Sequence, residues 1–422
     1  MNSFEEFENE RISLNNESTL DIWNNLPDDL PSLDDELLKG YSRQRQRITM
    51  TKAKGFVASY LLFKKTFLKD KFRSKGARLW HNSMNIDPST IDVDLFQICQ
   101  SLSQLTNAFL FKAEQYDPNV NKQELFKATR LIWYMFAFQL QFNLPIELTD
   151  SMFGYTMLYP YTDDFIDSNR ISKEAKQHFA KVFFQRLLFG DEPSDLGSLQ
   201  PFAEQIKKIF DMVQFIENDW IRNEINQPIY MSLAVIHQCQ MKSTQQHAKS
   251  NEDCQLTFEE IEEISARKGG ASVVAAGFMI QGHLTSTQFA YLEYIGFGLQ
   301  LLDDLQDVKE DLQNNHRTIF TYSIVHQQTL DKPTSRLIRY FLDKSIFKKF
   351  FNNENAQLSE YIHDSMMMFS ILLIIEAASH LKQFYSKQFY RQLSRRSPIK
   401  FKRRKQTRLE KRLFFLLRKQ LF

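Results

Sequence analysis

Cysteine, glycine and proline are scarce in this 422-residue chain, at 3, 12 and 11 copies. The cysteines, Cys99, Cys239 and Cys254, are scattered and odd in number, which points away from a disulfide frame or a zinc site and makes a reducing cytoplasm the expected compartment. So few turn formers, with few alternating runs, leave little room for sheets. No stretch reaches the ~20 apolar residues of a membrane span; the longest, Leu131 to Phe138 and Met366 to Ile375, have the length of core helices. The N-terminus is acidic where a secretory signal is basic and then apolar, so none is expected. Gly-rich phosphate loops, a Gly-x-Ser-x-Gly elbow and a His-Glu-x-x-His motif are absent, which removes the chemistries they serve. No histidines pair at metal-ligand spacing, and His237, His247, His283, His316 and His326 read as structural.

What is present is apolar and aromatic: 43% hydrophobic, 14% aromatic, with 38 Phe. A chain of this size and composition can bury a large core. An all-α fold is expected, with helices near 52–75, 89–115, 121–142, 146–168, 172–189, 198–247, 257–282, 285–313, 333–351 and 354–393. Pro145 and Pro160 punctuate the fourth, Pro160 is expected to kink it, and Pro228 to split the sixth. Thr257-Phe258-Glu259-Glu260 reads as a capping box opening the seventh. Aromatic walls can shield a carbocation, but Phe at helical spacing is more often plain core, so no single Phe is assigned a role.

Two aspartate-rich runs stand 140 residues apart within this apolar context. The first is Asp163-Asp164-Phe165-Ile166-Asp167; the second is Asp303-Asp304-Leu305-Gln306-Asp307-Val308-Lys309-Glu310-Asp311. Carboxylates at i and i+4 share a helix face, so Asp163 with Asp167, and Asp303 with Asp307 and Asp311, each form a stripe that repels itself without a cation. Met152 to Tyr159 precedes the first run and Phe289 to Leu302 the second, and both segments are apolar enough to be core helices. Carboxylates there are costly unless paired or bound to metal. Mg2+ is the fitting cation, since it takes a few carboxylates and completes its shell with substrate phosphate. One Asp-Asp-x-x-Asp match is common by chance; two, both in helical context, are not.

The pair of runs resembles the two metal-binding motifs of class I isoprenoid synthases, the all-helical superfamily of prenyl diphosphate synthases, squalene and phytoene synthases and terpene cyclases. The resemblance spans roughly residues 120 to 385. It implies a single large helical bundle with a central apolar cavity, in which two helices face each other and a cluster of three Mg2+ ions, or Mn2+ in their place, holds and ionises an allylic diphosphate. Asp163, Asp164, Asp167, Asp303, Asp304, Asp307 and Asp311 are the metal-binding set it implies, and Asp163, Asp167, Asp303, Asp307 and Asp311 the catalytic group. Asp163 to Asp167 matches the first motif. The second run fits three dialects: Asp303-Asp304-x-x-Asp307 that of chain-elongating enzymes, Asp307 to Asp311 that of squalene and phytoene synthases, and Asp303, Asp307 and Asp311 the ligand positions of cyclases.

Further resemblance lies in Ala266-Arg267-Lys268-Gly269-Gly270-Ala271, where cyclase-like members have a broken helix that lines the cavity and senses diphosphate. Arg267 and Lys268 would then reach phosphate oxygens; the alternative is that the glycines serve close helix packing. Arg170 and Arg317 lie where family members place basic diphosphate contacts, although a cation answering a helix dipole accounts for either equally well. A terpene synthase is the expected activity, because no Gly-Lys-Arg-x-Arg-like motif precedes the first run and only Lys75-Gly76-Ala77-Arg78 faintly matches it, far upstream. The alternatives are a prenyltransferase, head-to-head or chain-elongating, and a non-catalytic isoprenoid-synthase-like scaffold or partner subunit.

The two ends carry opposite charge. Residues 1–40 hold eleven acids against Arg11 and Lys39, an acidic arm anchored by Trp23 and Leu26. From Arg391 to Phe422 thirteen Lys or Arg stand against Glu410. The expected organisation is an acidic arm over 1–45, a helical domain over 46–390 and a basic amphipathic tail over 391–422. The tail suits an anionic membrane surface; docking on the acidic arm is the next option and nucleic acid the third. A cytoplasmic protein peripheral to the inner face of a membrane is therefore expected, and the resemblance is compatible with a homodimer.

Overall fold

The computed structural model describes residues 16–31, 95–166, 168, 171–193, 195–247, 256–350 and 356–397, and every regular element among them is helical. The expected all-α class is what is found. The helix expected over 52–75 lies outside the described residues. Two compact units are formed, the first from Met1–Ile22, Gln104–Gln300 and Ile346–Phe350, the second from Trp23–Ser103, Leu301–Ser345 and Phe351–Phe422.

In chain order the helices are α1 (Asn16–Asn25), α2 (Leu95–Tyr116), α3 (Lys122–Gln141), α4 (Asp150–Ile166), α5 (Lys173–Phe189), α6 (Ala203–Asp219), α7 (Gln227–Ser243), α8 (Phe258–Gln281), α9 (Ser286–Gln313), α10 (Ile319–Val325), α11 (Asp331–Leu342), α12 (Ser345–Phe350), α13 (Ala356–His380) and α14 (Lys387–Arg396). The capping box of α8 forms as expected: the Thr257 hydroxyl accepts from Glu260 N at 3.2 Å and Thr257 N donates to Glu260 Oε2 at 2.7 Å.

Three expected helices are each two. The segment expected over 198–247 breaks between Asp219 and Gln227, ahead of Pro228, which opens α7. Arg222 in that break donates to the carbonyls of Arg186, Leu187 and Leu188 at the C-terminal end of α5, at 2.9 to 3.3 Å, and lies 3.8 Å over the Tyr230 ring. A cation there satisfies orphan carbonyls and answers the helix dipole. Glu217 joins Arg222 to buried Arg186 at 2.5 to 2.6 Å. Burial alone would raise the Glu217 pKa, but the hydrogen bonds from both guanidiniums hold it below the ordinary value. The segment over 333–351 turns at Asp343, whose carboxylate accepts from Ser345 N at 2.9 Å, and that over 354–393 restarts where Ser386 caps α14.

In the first unit α4 lies against α6 and α3, and α7 against α8 and α5. The α4/α6 crossing is set by Gly154, where a Cβ would stand 2.4 Å from Met212 O. The helix continues through Pro160, and the Thr162 hydroxyl back-bonds to Leu158 O at 2.8 Å, a contact that bends helices slightly. Gly269 and Gly296 make a second crossing between α8 and α9, where a Cβ on Gly296 would stand 2.2 Å from Gly269 O. α8 runs unbroken from Phe258 to Gln281, as the helix expected over 257–282, so of the two readings of Gly269-Gly270 close helix packing is the one found and the family-type break is absent. His237 on α7 is structural, as read from the sequence. Its ring is edge-on to Phe179 and Phe183 and bonded to Ala180 O at 3.0 Å, and burial pushes its pKa down to about 4.

In the second unit residues 23–31 are tied down. Trp23, 1% exposed, meets the Tyr340 ring edge-on; Asp28 pairs with Lys332 and Arg336, Asp29 with Arg339, and Arg396 donates to Pro31 O. The Leu358–His380 stretch of α13 is by length and composition able to cross a membrane, although the uninterrupted apolar run within it is shorter than a span. Of its most apolar window, 61% is buried inside the protein, as befits a core helix.

Gly296→Ala is expected to cost about 2–3 kcal/mol through overpacking, read from urea unfolding. His237 has its folded pKa below its unfolded value of 6.5, so stability is intact above the unfolded pKa and declines as pH falls from 6.5 towards about 4. The loss is on the order of 3 kcal/mol, and the urea midpoint of His237→Gln should fall less steeply over that window.

Candidate functional site

Asp163 lies in the last turns of α4, half-buried, beside Phe165, which is fully buried against the rings of Phe179 at 4.4 Å and Phe202 at 5.6 Å. The ring packing fixes the end of α4 and so the direction of Asp163. Gln240 Nε2 on α7 donates to Asp163 Oδ1 at 3.4 Å. Two residues before Asp163, the Tyr161 hydroxyl donates to Asp117 Oδ2 at 3.2 Å, and Lys208 bonds the same oxygen at 2.7 Å. Burial would raise the Asp117 pKa, yet the Lys208 hydrogen bond leads the contacts that hold it below the ordinary value. The side chain of Asp164, and Asp167 and Arg170 altogether, lie outside the described residues.

The second run rides α9 without interruption. Leu301, Leu305 and Val308 are fully buried and define its core face. Asp304, 6% exposed, stands on that core side, while Asp303 is half-buried, Asp307 exposed and Asp311 half-buried. Four-residue spacing sets Asp303, Asp307 and Asp311 on one face, as the sequence implied. At the end of α9 the chain turns through Asn315, at φ 52°, and His316 closes the corner. His316 N donates to Asp311 O at 2.8 Å, and its ring Nδ1 lies 3.1 Å from Asp311 Oδ1. Arg317 follows, only 2% exposed. Thr318 then opens α10 through a capping box with Thr321, whose hydroxyl also donates to His316 O at 2.7 Å. Arg317 is thus held between two fixed residues, a buried cation six positions from Asp311.

Arg267 and Lys268 sit half-buried on α8. Arg267 pairs with Glu263 one turn earlier at 3.6 Å, and Lys242 of α7 approaches the same carboxylate at 4.0 Å. Such a pair contributes a few tenths of a kcal/mol, about 0.3–0.5, so it does not tie Arg267 down. Among the described residues no three His, Cys, Asp or Glu form a group able to hold a metal ion by themselves.

Two residues at these runs were not legible beforehand. His316 was set aside as structural, although its place five residues past Asp311 at a helix end was a usable signal. Gln240 had none, because only the packing of α7 brings it to Asp163. The chain matches no protein-family model, no curated protein and no solved structure.

Thr318→Ala removes one side of the α10 capping box and is expected to lower the unfolding free energy by about 1 kcal/mol, measured by urea denaturation.

Proposed function

We propose that this protein is a Mg2+-dependent class I isoprenoid synthase of the terpene synthase kind, which ionises an allylic prenyl diphosphate in an apolar cavity of a helical bundle and converts the cation to a terpene. One observation carries the reading: Asp303, Asp307 and Asp311 lie on one face of an unbroken helix whose end is built around buried Arg317. The donor set suits the ion, being carboxylate oxygen throughout. Because Mg2+ takes one or two carboxylates and fills its shell with phosphate and water, and no closed cage is found among the described residues, the metal would be taken up together with diphosphate rather than alone.

In this reading Asp163, Asp164 and Asp167 of the first run and Asp303, Asp304, Asp307 and Asp311 of the second hold the metal, which when bound supplies Lewis-acid stabilisation of the departing diphosphate. Gln240 orients the Asp163 carboxylate through its amide. His316 braces Asp311, so the last ligand of the stripe does not swing away between turnovers. Arg317, with Arg170, Arg267 and Lys268, supplies fixed positive charge for the diphosphate oxygens; such preorganised charge is strong where water is excluded. The apolar residues around the runs keep water from the allylic cation.

A second reading, a prenyltransferase of the head-to-head or chain-elongating type, is favoured by the unbroken α8, because a broken helix at Gly269-Gly270 was the feature tied to cyclases.

Incubating the purified protein with Mg2+ and allylic diphosphates of increasing chain length, alone and with isopentenyl diphosphate, decides between them by product analysis. A cyclic or rearranged product from a single allylic substrate is expected. Asp163→Ala and Asp307→Ala should each lower turnover by at least ~1,000-fold, the scale for loss of electrostatic stabilisation at the reacting centre. The melting temperature should rise with Mg2+ plus inorganic diphosphate and not with Mg2+ alone. A longer diphosphate formed only with isopentenyl diphosphate would establish the second reading, and absence of diphosphate release with every substrate would leave a scaffold.

A further inference from the structure

The last described helix, α14, has two faces. Phe389 and Leu393 are buried one turn apart, Phe389 stacked on Tyr385 with ring centroids 5.4 Å apart, and the Tyr385 hydroxyl lies 2.9 Å from Thr334 Oγ1 on α11. Ser386 caps the helix by accepting from Phe389 N at 3.2 Å, and its own N–H donates to Asp331 Oδ1 at 3.0 Å. Arg396, also buried, bonds Pro31 O. The helix is therefore held rigidly by one side and by both ends.

Its other side is cationic. Lys387, Arg391 and Arg395 are all exposed and, at successive four-residue steps, form a strip about 12 Å long. They make no ion pair among the described residues. Lys382 is exposed just ahead of them, its ammonium 5.8 Å from the Tyr390 ring. No Asp or Glu occurs from Ala377 to Leu409, so the strip has no acid of its own segment to answer it. Beyond Ser397 the sequence adds ten further Lys or Arg against Glu410. It closes on Leu413-Phe414-Phe415-Leu416-Leu417, bracketed by Lys411-Arg412 and Arg418-Lys419.

We propose that the solvent face of α14, Lys387, Arg391 and Arg395, is a docking strip for an anionic phospholipid surface. The inference stands apart from the reaction proposed above. Charge complementarity selects an anionic partner, and the strip rides a helix tied to its neighbours at both ends. Two features favour lipid over nucleic acid. The aromatic residues of α14, Phe389 and Tyr390, are buried and half-buried, so no ring is offered to stack on bases, which single strands exploit. The cation-bracketed Leu-Phe-Phe-Leu-Leu cluster suits the boundary between headgroups and acyl chains.

The test is sedimentation of the full chain with vesicles of phosphatidylcholine alone or with added phosphatidylserine. Binding should require phosphatidylserine and weaken as salt is raised. The triple variant Lys387→Gln, Arg391→Gln, Arg395→Gln alters only exposed groups, and an unchanged melting curve will verify its fold. Its partitioning should fall by about fivefold per residue, on the order of a hundredfold in all. Indifference to phosphatidylserine, or unchanged binding by the triple variant, would overturn the proposal. Tighter binding of a DNA duplex at the same salt would also overturn it, and would assign the strip to nucleic acid. Sedimentation that appears only after Asp34→Asn, Asp35→Asn and Glu36→Gln would overturn it by identifying the protein's own acidic arm as the occupant.

Discussion

The backbone contact of α8 with α9 at Gly269 and Gly296 is the constraint on which the candidate site depends. A Cβ at either glycine would stand 2.2 to 2.4 Å from the carbonyl oxygen of the other, so only glycine lets the helices approach this closely. Close approach leaves little freedom of rotation about the helix axis, and rotation decides which face of α9 is turned towards α8. Asp303 and Asp307 follow Gly296 by seven and eleven residues, close to two and three whole turns at 3.6 residues per turn. The face of α9 that meets α8 at its glycine is therefore the face that carries the aspartate stripe further along the same helix. Gly269, one of the pair that resembles a sensing break, serves instead in this crossing with Gly296.

The first run is positioned by a related device. Gly154 brings α4 onto the backbone of α6 at Met212, and Asp163, nine residues on, lies half a turn out of phase with it. That side of α4 meets Gln240 of α7. Two other charged groups are closed on side-chain partners, Glu217 between Arg186 and Arg222, and Asp117 with Lys208 and Tyr161. Such closure is what burial of charge demands, and it makes these groups structural. Arg222 adds a further task, ending one helix at its carbonyls and beginning the break before the next.

The helical class, most helix positions and the i, i+4 stripes were legible in the sequence because each is local. Apolar periodicity marks a buried face, Thr257 and Glu260 mark a start, and four-residue spacing sets Asp303, Asp307 and Asp311 together wherever the helix lies. The split of the segment over 198–247 at Pro228 was legible as well, because proline opens α7; what no local pattern records is that Arg222 in the break bonds carbonyls more than thirty residues earlier in the chain. The expected helices over 333–351 and 354–393 are interrupted after Leu342 and His380 and restart beside Asp343 and Ser386, side chains that accept from the first turns of the helices that follow.

The sequence by itself determined an all-helical chain with a large apolar core, two acidic stripes and a charge asymmetry between its ends, because composition and spacing act through backbone geometry that needs no partner. Only the tertiary structure decided that Gly269-Gly270 is a crossing and not a break, that Asp304 stands on the core side of α9 while Asp307 is exposed, and that Gln240 and His316 attend Asp163 and Asp311. It likewise decided that α14 turns Lys387, Arg391 and Arg395 to solvent while Arg396 is buried. Each of these is a matter of which surface meets which, and that is settled by packing between helices remote in sequence.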